Sequence, residues 1–329
     1  MYKNQNLLIT GGTGTFGSNF VRYIVKSKNI KFNKIIIFSR DEFKQLEMQQ
    51  KFSEKERANL RFFIGDVRDR ERLKFALHDV DVVVHAAALK QVPTAEYNPM
   101  EVIKTNVIGT QNLIDTSLEK KVKKFIFLST DKACAPLNLY GATKLSSEKL
   151  VTSANNVKGK RNIIFTVVRY GNVMSSRGSV IPEFIKQSKS GTLKITDKNM
   201  TRFNITLEES INLVFWAIKN AIGSEIIIPK IPSYKITDLA KSIAPNCKIK
   251  IIGIRPGEKI HEEMISKNDS ISSIDIGKYY VILPPNEKNI SNYYKHKFKS
   301  KEVAKDFNYS SGTNEHFLSI KEIRKLIEK

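Results

Sequence analysis

Residues Thr10-Gly11-Gly12-Thr13-Gly14-Thr15-Phe16-Gly17 decide the fold. They follow a short apolar run, Asn6–Thr10, and open an amphipathic stretch, Phe16–Lys26. Gly11, Gly14 and Gly17 stand in the spacing G-x-x-G-x-x-G. Glycine there lets the chain turn tightly and lets a pyrophosphate approach the backbone. A helix opening at Thr15 and Phe16 offers N–H groups and a positive dipole end to an anion. Alone, such a motif is an ordinary strand-to-helix turn. Set between strand and helix, it points to dinucleotide binding.

The same alternation continues outward. Apolar β-type runs fall at Lys34–Phe38, Arg61–Val67, Asp81–Ala88, Lys123–Thr130 and Ile163–Tyr170. Helix-like stretches lie between them at Asp41–Phe52, Arg70–His78, Pro99–Leu118 and Tyr140–Ala154. Strand–helix alternation implies a parallel sheet covered on both faces, and the unbroken runs Ile35–Phe38 and Val82–Val84 suit strands buried on both sides. After Gly171 the pattern changes. Helices are expected at Val180–Ser190, Leu207–Ala221 and Ile236–Ala244. Strands are expected at Leu193–Thr196, Glu225–Ile228 and Lys248–Ile254, before the turn Arg255-Pro256-Gly257-Glu258. The sequence predicts an α/β fold, a doubly wound (Rossmann) parallel sheet with a smaller C-terminal substrate-binding lobe. Residues 1–171 form the dinucleotide domain, with a returning segment at about 204–229. Residues 172–203 and 230–329 form the substrate lobe and tail.

Composition narrows the function classes. No apolar run approaches the roughly 18 residues that span a bilayer, and Met1–Gln5 lacks the apolar core of a signal peptide. The expected place of work is the cytoplasm. Two cysteines, Cys134 and Cys247, fit a reducing compartment and form no metal cluster unaided. No metal is expected. The net charge of +22 raises the question of nucleic acid. Its lysines are spread along the chain, as a general bias toward Lys, Asn and Ile from an AT-rich genome would produce, and no nucleic-acid motif accompanies them; an anionic substrate is also consistent with the charge.

The second strand ends in Ser39-Arg40-Asp41, with Lys44 one turn later. An acidic residue at the strand tip would bind the ribose 2′-OH of NAD. Hydroxyl and guanidinium groups come first here, and these suit the 2′-phosphate of NADP. The alternative is a solvated basic helix start. Asp66-Val67 and Ala86-Ala87-Ala88 close the next two strands, where small residues let a cofactor lie against the sheet edge.

Tyr140 and Lys144 are four residues apart, so a helix puts them on one face. A neighbouring ammonium stabilises phenolate, which makes Tyr140 a candidate acid/base. The fifth strand ends Ser129-Thr130-Asp131-Lys132 at the carboxyl edge of the sheet, where doubly wound folds bind ligands. Thr130 can bond a substrate hydroxyl, and Asp131 can give or take a proton. Lys132 becomes a base near neutral pH if burial or neighbouring cations lower its pKa; ionised Asp131 opposes that shift.

The chain resembles extended short-chain dehydrogenase/reductases and, more narrowly, the inverting UDP-N-acetylglucosamine 4,6-dehydratases that begin pseudaminic acid synthesis. The stretches that carry the likeness include GGTGTFG, SRDE, FFIGDVRD, HAAALKQVPTAEYNP, STDKA, NLYGATKL, SRGSVIP and IIGIRPGEKIHEEMI, running from Gly11 to Ile265. The related dTDP-glucose enzymes carry Asp-Glu where this chain has Asp131-Lys132. Larger membrane-bound relatives carry methionine at the Tyr140 position. The resemblance implies that Tyr140 removes the C4 hydroxyl proton as hydride passes to NADP. Lys132 then abstracts the C5 proton, Asp131 protonates the leaving C6 hydroxyl, and Lys144 holds the cofactor ribose and lowers the Tyr140 pKa. It places Lys90, Thr105, Asn106 and Val173 near the cofactor. Lys90, Asn172, Arg177, Val180, Thr196, Arg202, Arg255 and Glu258 fall on the side of the UDP-sugar, and a homo-oligomer is implied. Two alternatives stay open: a nucleotide-sugar 4-epimerase or C5-retaining dehydratase on the same scaffold, and a non-catalytic NADP(H)-binding or nucleic-acid-binding protein.

Overall fold

Seven parallel strands carry the molecule, six of them β1 (Asn6–Thr10), β2 (Lys34–Ser39), β3 (Leu60–Ile64), β4 (Val82–His85), β5 (Lys124–Thr130) and β6 (Ile164–Tyr170). They lie in the spatial order β3-β2-β1-β4-β5-β6, and Ile226–Pro229 adds a seventh beside β6. The structure, a computed structural model, describes residues 1–174, 180–285 and 287–328. Leu7, Leu8, Ile9, Val83 and Val84 are wholly buried, as strands covered on both faces require. The order of the strands reverses between β1 and β4, which opens a crevice at their carboxyl ends. The doubly wound α/β fold expected from the sequence is the fold observed.

Three departures have local causes. β4 stops at His85 because the Thr10 hydroxyl oxygen accepts from the N–H groups of Ala86 and Ala87, at 3.2 Å each. The helix expected over Pro99–Leu118 is interrupted by a π-turn at Lys104–Ile108 between helices Pro99–Ile103 and Gly109–Glu119. The Asn106 carbonyl there accepts from two hydroxyls, Thr110 at 2.5 Å and Ser147 at 2.8 Å. A carbonyl taken by side chains no longer serves the regular helical ladder, and such bulges recur at functional sites. Residues 273–302, left in the tail by the sequence reading, extend the large sheet instead. Tyr279–Ile282 pairs antiparallel with Ile226–Pro229, and Ser273–Asp275 and Lys301–Glu302 follow it.

A second, smaller core lies beyond the crevice. It gathers Phe184, Leu193, Leu239 and Ile323. Around it stand the strands Asn172–Val173, Thr201–Ile205 and Ser233–Lys235 and the pair Thr192–Ile195 with Lys248–Ile251. Helices Val180–Ser188, Ile236–Ile243 and Ile320–Ile327 complete it. Among the described residues no helix is long and apolar enough to cross a membrane.

A buried ion pair ties the sheet to the segment that enters this lobe. Arg169 of β6 donates to both carboxylate oxygens of Glu148, at 2.9 and 2.6 Å, and to the Met264 carbonyl at 2.8 Å. Glu148 belongs to the helix Leu139–Val157. Replacing one partner leaves the other charge buried and unpaired, which costs about 3–5 kcal/mol. Arg169→Leu is therefore expected to lower unfolding free energy by about that amount, read from urea denaturation; a loss below about 1 kcal/mol would show that the pair holds nothing together.

Candidate active site

The carboxyl end of β5 runs into a single tight turn, Asp131–Ala133, in which the Lys132 N–H bonds the Thr130 hydroxyl oxygen at 3.4 Å. The helix Leu139–Val157 begins just after it, capped by Asn138, which accepts from the Gly141 N–H at 2.8 Å. Asn138 also donates to the Gly257 carbonyl at 2.8 Å and so anchors the helix start to the second lobe. Gly141 allows a close approach: a Cβ there would stand 2.2 Å from the Lys132 carbonyl oxygen. The glycine thus brings Tyr140, in the first helical turn, over the residues that end β5.

Four charged groups meet at this point. Lys132 Nζ lies 3.0 Å from Asp131 Oδ1 and 3.2 Å from Glu262 Oε1, and it donates to Asn172 Oδ1 at 3.2 Å. Arg202 Nε stands 3.8 Å from the same Glu262 oxygen. Asp131 is wholly buried, and its second oxygen has no partner among the described residues, as is true of Glu262 Oε2. Burial raises the Asp131 pKa against the pull of Lys132. At Lys132 the condition for a base near neutral pH, a lowered pKa, is not met, and the opposition expected from Asp131 prevails. Desolvation lowers it, but the paired carboxylates of Asp131 and Glu262 outweigh that, and its pKa is raised. In this arrangement Lys132 is an ammonium.

Tyr140 is pushed up to about 12, chiefly by burial; the cation that pulls it back down is Lys132, helped by a hydrogen bond with Thr130. Lys144, expected to serve that purpose, lies elsewhere. Its ammonium donates to the Leu128 carbonyl at 2.6 Å and sits 3.8 Å from the centre of the Phe127 ring. Burial lowers its pKa to about 7.

The loop after β1 fits a dinucleotide. Gly11 has a positive φ of 65°, and a Cβ there would stand 2.9 Å from the Ala87 backbone, so Ala86 and Ala87 border the loop closely, with Ala88 next along the chain. Gly14, the N-cap of the helix Thr15–Lys26, carries no side chain to bond the turn that holds Thr15, Phe16 and Gly17. The next helix shows the contrast, because Asp41 caps it by accepting from the Lys44 N–H at 3.0 Å and pairs with the Lys44 ammonium at 2.7 Å. The Ser39 hydroxyl accepts from Gln45 at 2.9 Å. Arg40 is half-exposed and lies 3.7 Å from Asp66, which Arg68 holds at 2.7 Å. Val67 is buried beneath this strand end. The hydroxyls of Thr105 and Ser129 are buried with no partner among the described residues, as groups awaiting a ligand would be. Asn106 serves the protein itself: it bonds the Leu89 N–H and carbonyl and Thr143, which fixes the loop carrying Lys90. Burial and the Lys132 charge lower the Lys90 pKa.

The expected substrate contacts are more scattered. Asn172 meets Lys132, and Val173 pairs with Ile205 in the small sheet. Val180 opens the helix Val180–Ser188. The Thr196 hydroxyl donates to Met200 Sδ at 3.2 Å. Arg202 is turned inward, onto the Thr201 and Ile260 carbonyls and Glu262. Arg255 and Glu258 bond each other across their turn. Arg177 lies outside the described residues. Glu262 is the group the sequence reading missed. It lies in the quoted IIGIRPGEKIHEEMI stretch, but the tandem Glu262-Glu263 gives no sign of which carboxylate faces inward. Among the described residues no cluster of metal-ligating side chains is found.

The pattern of the polysaccharide biosynthesis protein family matches residues 7–284. The chain is 52% identical to a UDP-N-acetylglucosamine 4,6-dehydratase (inverting) of Campylobacter jejuni subsp. jejuni serotype O:2, over 99% of this chain and 98% of that one. It is 42% identical to a UDP-glucose 4-epimerase of Rickettsia canadensis, over 99% and 96% of the two chains. Among solved structures, Pen from Bacillus thuringiensis superposes with a TM-score of 0.90 at 38% identity, covering 100% of this chain and 98% of that one.

The buried Lys144 makes a pH prediction. Its folded pKa of about 7 lies below the unfolded value of about 10.4, so the unfolded chain binds the extra proton between those limits. Stability contributed by this group therefore rises as pH rises from about 7 toward 10. Denaturation of wild type and Lys144→Met at pH 7 and pH 9 should show the wild type gaining more, by up to about 1.4 kcal/mol per pH unit. Equal gains would mean that Lys144 is not buried as an amine.

Proposed function

We propose, for a chain that belongs to the polysaccharide biosynthesis protein family, that it removes water from UDP-N-acetylglucosamine across C5 and C6 with inversion at C5. The observation that carries the reading is the Asp131–Lys132 pair at the end of β5 with Tyr140 held over it. The product is UDP-2-acetamido-2,6-dideoxy-β-L-arabino-hexos-4-ulose, feeding pseudaminic acid synthesis. The reading extends to a homo-oligomer working in the cytoplasm.

NADP, held by the Gly11–Gly17 loop, supplies the hydride acceptor for C4 and the hydride donor for C6. The chain's own groups move the protons. Tyr140 Oη receives the O4 proton, with the Lys132 charge and the Thr130 hydroxyl favouring the phenolate it must start from. A ketone at C4 acidifies the C5 proton, and Lys132 Nζ takes it once its own surplus proton has left. Asp131, whose pKa burial raises, is the acid for the departing C6 hydroxyl, and the hydride delivered to C6 is balanced by a proton added at C5 from the face opposite to the one that lost it. Asn172 and Glu262 keep Lys132 aimed through these steps.

A second reading, 4-epimerisation of the sugar, draws on the 42% identity with the Rickettsia enzyme. It uses Tyr140 but has no work for an acid at C6. The wholly buried Asp131 with its free oxygen favours dehydration.

Incubation with UDP-N-acetylglucosamine in deuterated water tests both. Dehydration with inversion predicts loss of water and one deuterium at C5 in the L-arabino product, read by NMR. An unlabelled 4-epimer, or a C5-retained ketone, contradicts it. Cofactor choice has its own test in Arg40→Ala. Removing a charge-assisted bond to the 2′-phosphate should cut the preference for NADP over NAD by about tenfold to a hundredfold, the equivalent of roughly 1.5–3 kcal/mol. An unchanged ratio of the two affinities would remove Arg40 from that role.

A further inference from the structure

We propose that Glu262 is a positioning residue that holds the Lys132 ammonium opposite Asp131 and thereby sets the pH at which Lys132 becomes a base. The geometry is specific. Glu262 is 4% exposed at its side chain and reaches Lys132 Nζ at 3.2 Å from the far side of the crevice, while Asp131 reaches it at 3.0 Å from β5. Its backbone is clamped on both sides by Ser311, whose hydroxyl accepts from the Glu262 N–H at 2.9 Å and whose N–H donates to the Glu262 carbonyl at 2.8 Å. Ser311 in turn lies 2.8 Å from the Thr201 hydroxyl, which meets His261 Nδ1 at 2.8 Å. A carboxylate fixed so firmly and buried beside one amine acts on that amine's charge.

The groups facing Lys132 come from every neighbouring element. Asp131 and the Tyr140 phenol stand on the β5 side. Glu262 and Arg202 approach from the second lobe, Lys90 adds a distant cation, and the Tyr234 phenol closes the floor. With Asp131 and Glu262 both ionised, two anions balance Lys132 and Arg202. When Asp131 carries the proton it must give to C6, Glu262 alone faces two cations. Guanidinium does not surrender its proton, so Lys132 is the group that must. Glu262 decides how readily: it is the last anion retaining the Lys132 proton. The Nζ–H bond breaks, the proton leaves to solvent, and the lone pair is free for C5.

The role of Lys132 as the C5 base rests on the reading under Proposed function, so the test includes a readout that needs no turnover. Acylation of Lys132 by acetic anhydride, followed by mass spectrometry across pH, reports its pKa in the protein without substrate. Glu262→Gln should lower that pKa by at least about one unit, as the loss of an opposite charge at this distance does. Arg202→Gln should raise it, because a like charge is removed. The acidic limb of kcat for C5 deuterium incorporation should move in the same directions, and Glu262→Asp should keep the limb near wild type whatever its rate. A merely structural role would lower rates without opposite shifts, so an unmoved Lys132 pKa in Glu262→Gln, or shifts of the same sign in both Gln variants, overturns the proposal. If Glu262→Gln does not fold, a Lys132 pKa that fails to rise in Arg202→Gln overturns it equally. If the acylation shifts appear and no variant nor wild type turns over UDP-N-acetylglucosamine, the Glu262 assignment stands and the proposed function falls.

Discussion

A charge taken out of water must find a partner, and at the end of β5 this chain sets two buried acidic side chains within hydrogen-bond reach of one ammonium. Much of the rest of the structure serves that constraint. Among the described residues Asp131 has no partner for its second oxygen, and Lys132 is fastened from two sides. Such a cluster is expensive to assemble and gains nothing for stability that a hydrophobic cluster of the same volume would not give. Its retention is what a site for moving protons requires.

The two cores meet through this cluster. Thr130, Asp131, Lys132 and Tyr140 come from the large sheet and its helix, whereas Asn172, Arg202 and Glu262 come from the segments around the small core. Asn138 holding Gly257 is a further tie between the lobes, made with a backbone carbonyl rather than a charge. The His85 ring adds a tie on the cofactor side. It lies 2.7 Å from the Thr10 hydroxyl and 3.0 Å from that of Thr110, and burial keeps it neutral, with a pKa of about 3. Because the Thr110 hydroxyl donates onward to the Asn106 carbonyl, Nε2 of the ring is its N–H donor. The glycine loop, β4 and the π-turn are thereby fixed against one another.

What the sequence made legible was whatever depends on local pattern. The glycine spacing, the buried β-runs and the Tyr140–Lys144 interval follow from periods of two and 3.6 residues, and the fold class follows from their alternation. What escaped depends on contacts between distant segments. The strand Tyr279–Ile282 looks like tail until it pairs with Ile226–Pro229. The π-turn at Lys104–Ile108 requires a hydroxyl from Ser147, some forty residues on. Glu262 is one of two adjacent glutamates, and the contacts it makes when turned inward, with Ser311, Lys132 and Arg202, all come from distant segments. The balance of charge at Lys132 was illegible for that reason: its second carboxylate lies 130 residues away along the chain. Lys144 was placed correctly on its helix, but the rotamer that sends it beneath Phe127 is a matter of packing.

The account makes the crevice at the carboxyl end of β5 the place where sugar chemistry occurs. A crystal structure of Tyr140→Phe with NADP and UDP-N-acetylglucosamine tests this most directly, since the variant keeps the site's shape and lacks the oxygen that starts the reaction. The account predicts the hexose with its O4 beside residue 140, C5 facing Lys132 Nζ and O6 against the free oxygen of Asp131. A sugar turned with C5 and C6 away from Asp131 and Lys132, or bound outside this crevice, would contradict it.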